Sequence, residues 1–464
     1  MIKSQRENPL GCEPVSKLMR KFAVPSIIAM LVGALYNIVD QLFIGQSVGT
    51  LGNAATNIAF PLSTSCIALA LLFGIGGASC FNLSMGRGEK EKAGYYIGNA
   101  SFMLFISGLV LCILSQIFLV QLLKAFGAPD DVLPYAEVYV RITAIGFPFL
   151  ILTVGGGHLI RADGSPRIAM MCSLLGAIIN IVLDAVFIMG LNMGMAGAAC
   201  ATIIGQIASG IVVIVYLKNY KTVALAKKHF KVRFEYTKEI MSIGTASFIN
   251  QLAMMLLQVV LNNSLKYYGS LSVYGEAIPI ACSGIVMKVA QLFFSIVIGL
   301  AQGSQPIQSF NYGAKKYDRV KESYKLANKY AGLISVLAFV LFQVFPRQIM
   351  SMFGEGTEAY YQFGVSYFRI FLFFICVNFV QPITATLFTS IGKPVKGTFL
   401  SLTRQIIFLL PLIIVLPLFL GIDGILYSAP IADFIAFIVA LVMAGFEFRN
   451  MKKLAESDMN LEAR

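Results

Sequence analysis

Three aspartates, Asp40, Asp184 and Asp433, lie inside long apolar stretches of the sequence. An acidic side chain at the middle of a membrane helix costs roughly 2.5–3.5 kcal/mol on insertion scales, so such residues are usually kept for function. Two of the three have suitable neighbours. Asn180 precedes Asp184 by one helical turn, which places its amide and the carboxylate on one face, and Tyr36 and Asn37 stand one turn before Asp40. Thr202 is expected at a similar depth on a third stretch. Carboxylate, amide and hydroxyl oxygens are hard ligands for Na⁺ and can also relay a proton. Asp40, Asn180, Asp184 and Thr202 are therefore predicted to bind H⁺ or Na⁺, with Tyr36 and Asn37 beside them at a substrate cavity. No catalytic set is present: His158 and His229 are the two histidines, and there is no HExxH, GxSxG or spaced metal-ligand cluster. No cofactor is expected beyond a transported ion. The eight cysteines lack CxxC spacing, and seven lie in or beside apolar runs, as small packing residues do.

The elements that carry these groups must sit in lipid. With 57% hydrophobic residues, 13% charged ones and a mean hydropathy of +0.77, the chain cannot present a water-facing surface. Its net charge of +13 does not indicate nucleic acid, because the basic residues fall in short segments between apolar runs. Spans are predicted near 20–44, 54–84, 97–123, 134–158, 167–190 and 195–217, then 238–265, 274–305, 325–346, 361–388, 397–420 and 423–447. Of the 36 lysines and arginines, only Lys124, Lys266 and Arg347 fall on the side opposite the termini, and Arg141, Lys288 and Arg369 fall inside spans. The positive-inside rule then predicts both termini to be cytoplasmic. The first apolar run is long enough to span the bilayer, so no cleaved leader is expected.

The chain also repeats itself. Residues 71–90 align without gaps on 296–315, matching Gly74 with Gly299 and Ser79 with Ser304. At an offset of 228, Tyr139 and Arg141 match Tyr367 and Arg369, while Gly164 and Pro166 match Gly392 and Pro394; at 227, Gly194 and Gly197 match Gly421 and Gly424. The predicted fold is all-α and integral to the membrane, with twelve helices in two pseudo-symmetric six-helix lobes: 1–217, a basic linker 218–237, and 238–464. Both halves enter the membrane in the same sense, so the repeat axis should run along the membrane normal. The positions matching Asp40, Asn180, Asp184 and Thr202 are near Leu261, Phe408, Leu412 and Ala429. Packing residues would be expected in both halves, so a set confined to one half points to function.

Pro25, Tyr36-Asn37-Ile38-Val39-Asp40, Gly86-Arg87-Gly88, Arg161-Ala162-Asp163-Gly164-Ser165-Pro166, Asn180 with Asp184, and Gly194-Met195-Ala196-Gly197 together resemble the multidrug and toxic compound extrusion (MATE) family, closest to its bacterial MepA-like branch. The resemblance covers nearly the whole chain. It implies an inner-membrane antiporter acting as a monomer, exporting mainly cationic or amphiphilic small molecules against H⁺ or Na⁺, with its N-lobe cation site on Asp40, Asn180, Asp184 and Thr202. Some members carry an acidic coupling residue in the seventh helix, where this chain has only Gln251, Gln258, Asn262 and Asn263. Lys288, midway along the eighth span, either faces the cavity and tunes substrate choice or pairs with Asp433. Pro25, whose repeat partner is Ala246, is expected to be the hinge that moves Asp40. The rival readings are a flippase for lipid-linked precursors, which would need an arginine-lined chamber, and a major-facilitator carrier, which would show a DRxGRR-like loop after the second span.

Overall fold

A computed structural model describes residues 8–353 and 356–462. Lys3, Arg6 and Arg464, counted above on the basic side, lie outside them. Twelve helices among the described residues are long and apolar enough to cross a membrane. They are α1 (Val15–Ser47), α2 (Leu51–Gly86), α3 (Lys90–Ile117), α4 (Leu133–Ala162), α5 (Pro166–Gly190) and α6 (Gly194–Lys218), followed by α7 (Phe234–Ser270), α8 (Ala277–Gly313), α9 (Tyr317–Val344), α10 (Glu358–Ser390), α11 (Pro394–Leu420) and α12 (Ile422–Asp458). Each predicted span is a helix, but the ends differ. Hydropathy marks the bilayer-crossing part, whereas backbone hydrogen bonding continues into water. Thus α12 runs eleven residues past the predicted end, and α3 takes in the charged turn Lys90–Lys92 but stops at Ile117, before a separate short helix Leu119–Ala125.

The termini meet at one face. Asn311 Nδ2 at the end of α8 donates to the Leu10 carbonyl (2.9 Å), and Lys315 Nζ donates to Asp458 (2.7 Å). At this basic face the two lobes are sealed together. The most extensive contacts between them are α1 on α8 and α2 on α7, which exchange under the repeat. Glycine makes these crossings possible. A Cβ on Gly76 would stand 2.1 Å from the Ile240 carbonyl oxygen, one on Gly244 would stand 1.8 Å from that of Leu72, and Gly299 and Gly303 lie against the backbone of Ile27 and Ala23. The contact between α2 and α8 is itself two-fold: Gly86 receives the Phe310 carbonyl and Gly313 that of Leu83. The structural register is therefore 227 here, not the 225 of the sequence alignment. Small shared residues misled the alignment by half a turn.

Polar groups complete the seal. Arg161 Nη2 donates to Gln302 Oε1 (3.2 Å) and Gln305 Nε2 to Ser79 Oγ (2.8 Å). The hydrogen bonds between the lobes among the described residues lie toward this face.

The turns on the basic face also repeat. Gly164 and Gly392 both have positive φ (79° and 74°), a conformation glycine adopts without penalty. In the first of these turns Asp163 is buried and accepts from the Tyr216 hydroxyl (2.7 Å), the Lys221 and Thr222 backbone N–H groups (2.9 Å each) and the Thr222 hydroxyl, tying the linker to its lobe. Hydrogen bonds to a charged acceptor contribute about 1.5–3 kcal/mol each. Asp163→Ala should therefore destabilise the protein by at least about 3 kcal/mol. Thermal melting of the detergent-solubilised protein measures this, and an unchanged midpoint would contradict the assigned role.

Candidate cation-coupling site

The N-lobe site is assembled by α1, α5 and α6, with α5 packed extensively against both of the others. Close approach of α5 and α6 depends on Gly176 and Gly205: a Cβ on Gly205 would stand 2.7 Å from the Gly176 carbonyl oxygen and 3.5 Å from Asn180 Cβ. One turn beyond that contact, Asn180 Nδ2 donates to Thr202 Oγ1 (3.4 Å), leaving Asn180 Oδ1 buried with no partner. Another turn along α5, Asp184 is 0% exposed, and both its carboxylate oxygens are buried without a hydrogen-bond partner. From α1, Asp40 lies within electrostatic reach of Asp184, with its own Oδ1 also unpartnered. The helical ladder of α5 widens to a π-helical turn directly after Asp184, over Ala185–Gly190, a local geometry that often marks functional positions in helices.

Four oxygens without partners therefore converge: Asp40 Oδ1, Asn180 Oδ1 and both of Asp184. Buried polar atoms are rarely left unpaired, and two neighbouring carboxyl groups in low dielectric resist both being ionised unless a cation or a proton joins them. Only two carboxylates are present, and no group of three or more His, Cys, Asp or Glu side chains occurs among the described residues. The donor set fits a proton or a hard monovalent cation and gives a soft transition metal nothing to bind.

The structure places Asp40, Asn180, Asp184 and Thr202 together. Tyr36 is half-buried and within electrostatic reach of both carboxylates. Asn37 points elsewhere: it is exposed, and its amide donates to the Gly33 carbonyl of its own helix (2.7 Å). Lys288 is half-buried on α8, in the other lobe, with no ion pair among the described residues. Its alternative role as partner of Asp433 is overturned, because Arg404 on α11 holds that carboxylate at 2.5 Å. Pro25 lies within α1 at the seal, between the Ala23 and Ile27 contacts, about 22 Å along the helix from Asp40.

Sequence reasoning missed Tyr139. On α4, it lies beside Thr202 and within electrostatic reach of both aspartates. Its repeat match to Tyr367, which hydrogen-bonds Ser283 (3.3 Å), was visible, but that match signals a shared scaffold and not a ligand. At two repeat-related helix ends, the Gln116 amide donates to the Arg141 carbonyl (2.7 Å) and the Gln343 amide to that of Arg369 (2.9 Å), whose Nε donates back to the Gln343 carbonyl (3.1 Å).

Adding a methyl group at Gly205 should push α6 away from α5 and draw Asn180 off Thr202. Overpacking costs about 1–3 kcal/mol, so Gly205→Ala is expected to raise the cation concentration needed for half-maximal transport by roughly tenfold. Transport titrated against Na⁺ and pH gives the shift; an unaltered titration would mean that the α5–α6 contact does not set the site.

The MatE family model matches residues 25–186 and 246–415, falling on both lobes. The multidrug export protein MepA of Staphylococcus aureus (strain MRSA252) is 24% identical over 431 residues, covering 93% of each chain. MepA of Staphylococcus haemolyticus (strain JCSC1435) is 24% identical over 437 residues, covering 94% of each. In fold, the chain is similar to a multidrug resistance MATE family transporter of the MOP superfamily in its outward-facing conformation, with a TM-score of 0.89 at 23% identity, covering 96% of this chain and 98% of the other.

Proposed function

We propose, on the premise that this chain belongs to the MatE family, that it exports small, mostly cationic or amphiphilic organic compounds across the cytoplasmic membrane by exchanging them for H⁺ or Na⁺. It is a multi-pass membrane transporter and not an enzyme. The observation that carries the coupling reading is the buried Asp40 and Asp184 carboxyl groups with their unpartnered oxygens. The names of the MepA relatives support the substrate class. The positive charge gathered at the sealed face supports cytoplasmic termini, which puts the seal on the inner side of the membrane. The protein acts as a monomer, because a single chain supplies both lobes and the whole coupling site.

In this reading the ion enters from outside and neutralises the Asp40–Asp184 pair. Asn180 and Thr202 supply further oxygens, and Tyr139 and Tyr36 lie within reach of the pair. Binding redraws the packing of α1 on α5. Pro25 leaves the carbonyl one turn earlier without its helical N–H partner, so α1 can bend there while its sealed end stays against α8. The movement releases the bound compound outward, and the return to the inward-facing state delivers the ion to the cytoplasm. One charge moving down 100 mV supplies about 2.3 kcal/mol, close to fifty-fold accumulation of a neutral substrate for one-to-one exchange. Lys288 lies in the opposite lobe without an acidic partner and would disfavour substrates that carry positive charge near α8. The flippase alternative gains no support, since Arg404 is held by Asp433 and Arg161 bonds Gln302.

The test is efflux of a fluorescent cationic dye from energised cells, with the H⁺ and Na⁺ gradients collapsed separately. Efflux that stops with one gradient identifies the ion. Efflux that survives the loss of both gradients would rule out the antiport reading.

A further inference from the structure

At the repeat offsets of 228 for α5 and 227 for α6, Gly176 and Gly205 of the N-lobe match Arg404 and Ala432 of the C-lobe, the latter next to Asp433. The same helix crossing thus carries a bare glycine contact in one lobe and an ion pair in the other. Arg404 Nε donates to Asp433 Oδ1 at 2.5 Å. Asp433 is 3% exposed and the Arg404 side chain 17%, and the guanidinium lies 6.0 Å from the ring centroid of Phe294 on α8. Arg404 is the one charged group acting on Asp433 among the described residues. Each stands about ten residues into its helix, roughly 15 Å from the membrane surface and so near the midplane. The backbone widens here as well, with a π-helical stretch over Thr403–Leu409 in which Gln405 Oε1 is buried without a partner.

A carboxylate at the midplane needs a counter-charge, and three kinds are available: a proton, a metal cation or a side chain. The N-lobe pair has no basic side chain and must take its counter-charge from solution. The C-lobe carboxylate has one built in. Arginine suits that role because its guanidinium stays protonated in proteins, so it neither gives up a proton nor leaves with an ion. We propose that Arg404 is a tethered cation that keeps Asp433 from acting as a second coupling site, so that the number of ions exchanged per cycle is set by the N-lobe alone. This rests on the coupling reading above and adds what confines coupling to one lobe. The residue determines stoichiometry and touches neither ion nor substrate. If its charge is removed, Asp433 must recruit a proton or Na⁺, and the C-lobe becomes a second cation site.

The experiment counts cations on the purified full-length protein. ²²Na⁺ equilibrium binding at alkaline pH and potentiometric proton uptake between neutral and mildly acidic pH are measured for the wild type, Arg404→Gln, Asp433→Asn, the double variant and Arg404→Lys. Arg404→Gln should take up one more cation per chain than the wild type. The double variant should return to the wild-type count, and Asp433→Asn and Arg404→Lys should match it throughout. The proposal is overturned if Arg404→Gln melts cooperatively yet binds no additional cation, or if Asp433→Asn alone loses one, since Asp433 would then already be a coupling site. Should Arg404→Gln fail to fold, Asp433→Asn and the double variant decide: loss of a cation in either overturns the proposal, and wild-type counts in both support it. A wild-type count that does not fall on Asp40→Asn or Asp184→Asn removes the N-lobe reading and leaves the comparison between wild type and Arg404→Gln intact.

Discussion

Asp184→Asn protein, present in the membrane at wild-type level, is expected to show no concentrative efflux at all. The substitution keeps the volume and planarity of the side chain, so α5 should still pack on α6 through Gly176 and Gly205. It removes the charge that a proton or Na⁺ would join. Without ion binding, nothing links the gradient to the lobe movement, and the ratio of a neutral substrate across the membrane should fall from near fifty-fold per 100 mV to unity. Asp40→Asn should do the same from α1. Thr202→Val should weaken coupling without abolishing it, because Thr202 offers one neutral oxygen whereas each aspartate offers charge. Melting temperature and the accumulation ratio, measured on the same preparations, separate loss of coupling from loss of fold. Active accumulation by a well-folded Asp184→Asn protein would show the buried pair to be structural.

Gly244→Ala should be nearly as damaging, for a mechanical reason. In a helix interior this exchange ordinarily gains about 0.5–1 kcal/mol. Here the new methyl group would meet the Leu72 carbonyl oxygen at 1.8 Å, where α7 crosses α2. The wedge sits in the seal, so it opposes only the state in which the basic face is closed. An overpacking cost of about 1–3 kcal/mol shifts the ratio of inward-open to outward-open protein by roughly tenfold to a hundredfold. Efflux should fall accordingly while thermal stability holds or rises. Cys80, buried on α2 within this region, offers a native probe: its alkylation, followed by mass spectrometry, should be faster in Gly244→Ala than in wild type. Full efflux with unchanged Cys80 reactivity would mean that the glycine crossing does not form the inner seal.

Much of this was legible in the sequence, and the parts that were not share a cause. The twelve spans could be read because a bilayer demands long apolar helices, and the polar set on Asp40, Asn180, Asp184 and Thr202 could be read because charge inside such helices is costly. Depth along a helix follows from residue count. Rotation about its axis does not when the helix is apolar all round. That is why Asn37, adjacent to Tyr36, was placed at the cavity but turns to its own backbone, and why Tyr139 was matched across the repeat but not brought to Thr202. Arg404 follows the basic segment by only eight residues, yet it turns to Asp433 while Lys393 and Lys396 reach the Glu447 carboxylate. The pairing of Asp433 is a relation between helices, and no spacing along one helix could express it.

In the proposed mechanism, ion and substrate oppose each other's binding through the Asp40–Asp184 pair. Linkage makes this measurable at equilibrium, because an ion that lowers substrate affinity must have its own affinity lowered equally by the substrate. Fluorescent dye binding to purified protein should therefore be measured across pH and Na⁺ concentration, for the wild type and for the Asp40→Asn/Asp184→Asn double variant. The wild type should bind dye less tightly as one of the two ions rises, by about tenfold or more for a coupling of roughly 1.4 kcal/mol, and the double variant should bind with one affinity throughout. The same ion dependence in both proteins would contradict the claim and place the coupling ion elsewhere in the molecule.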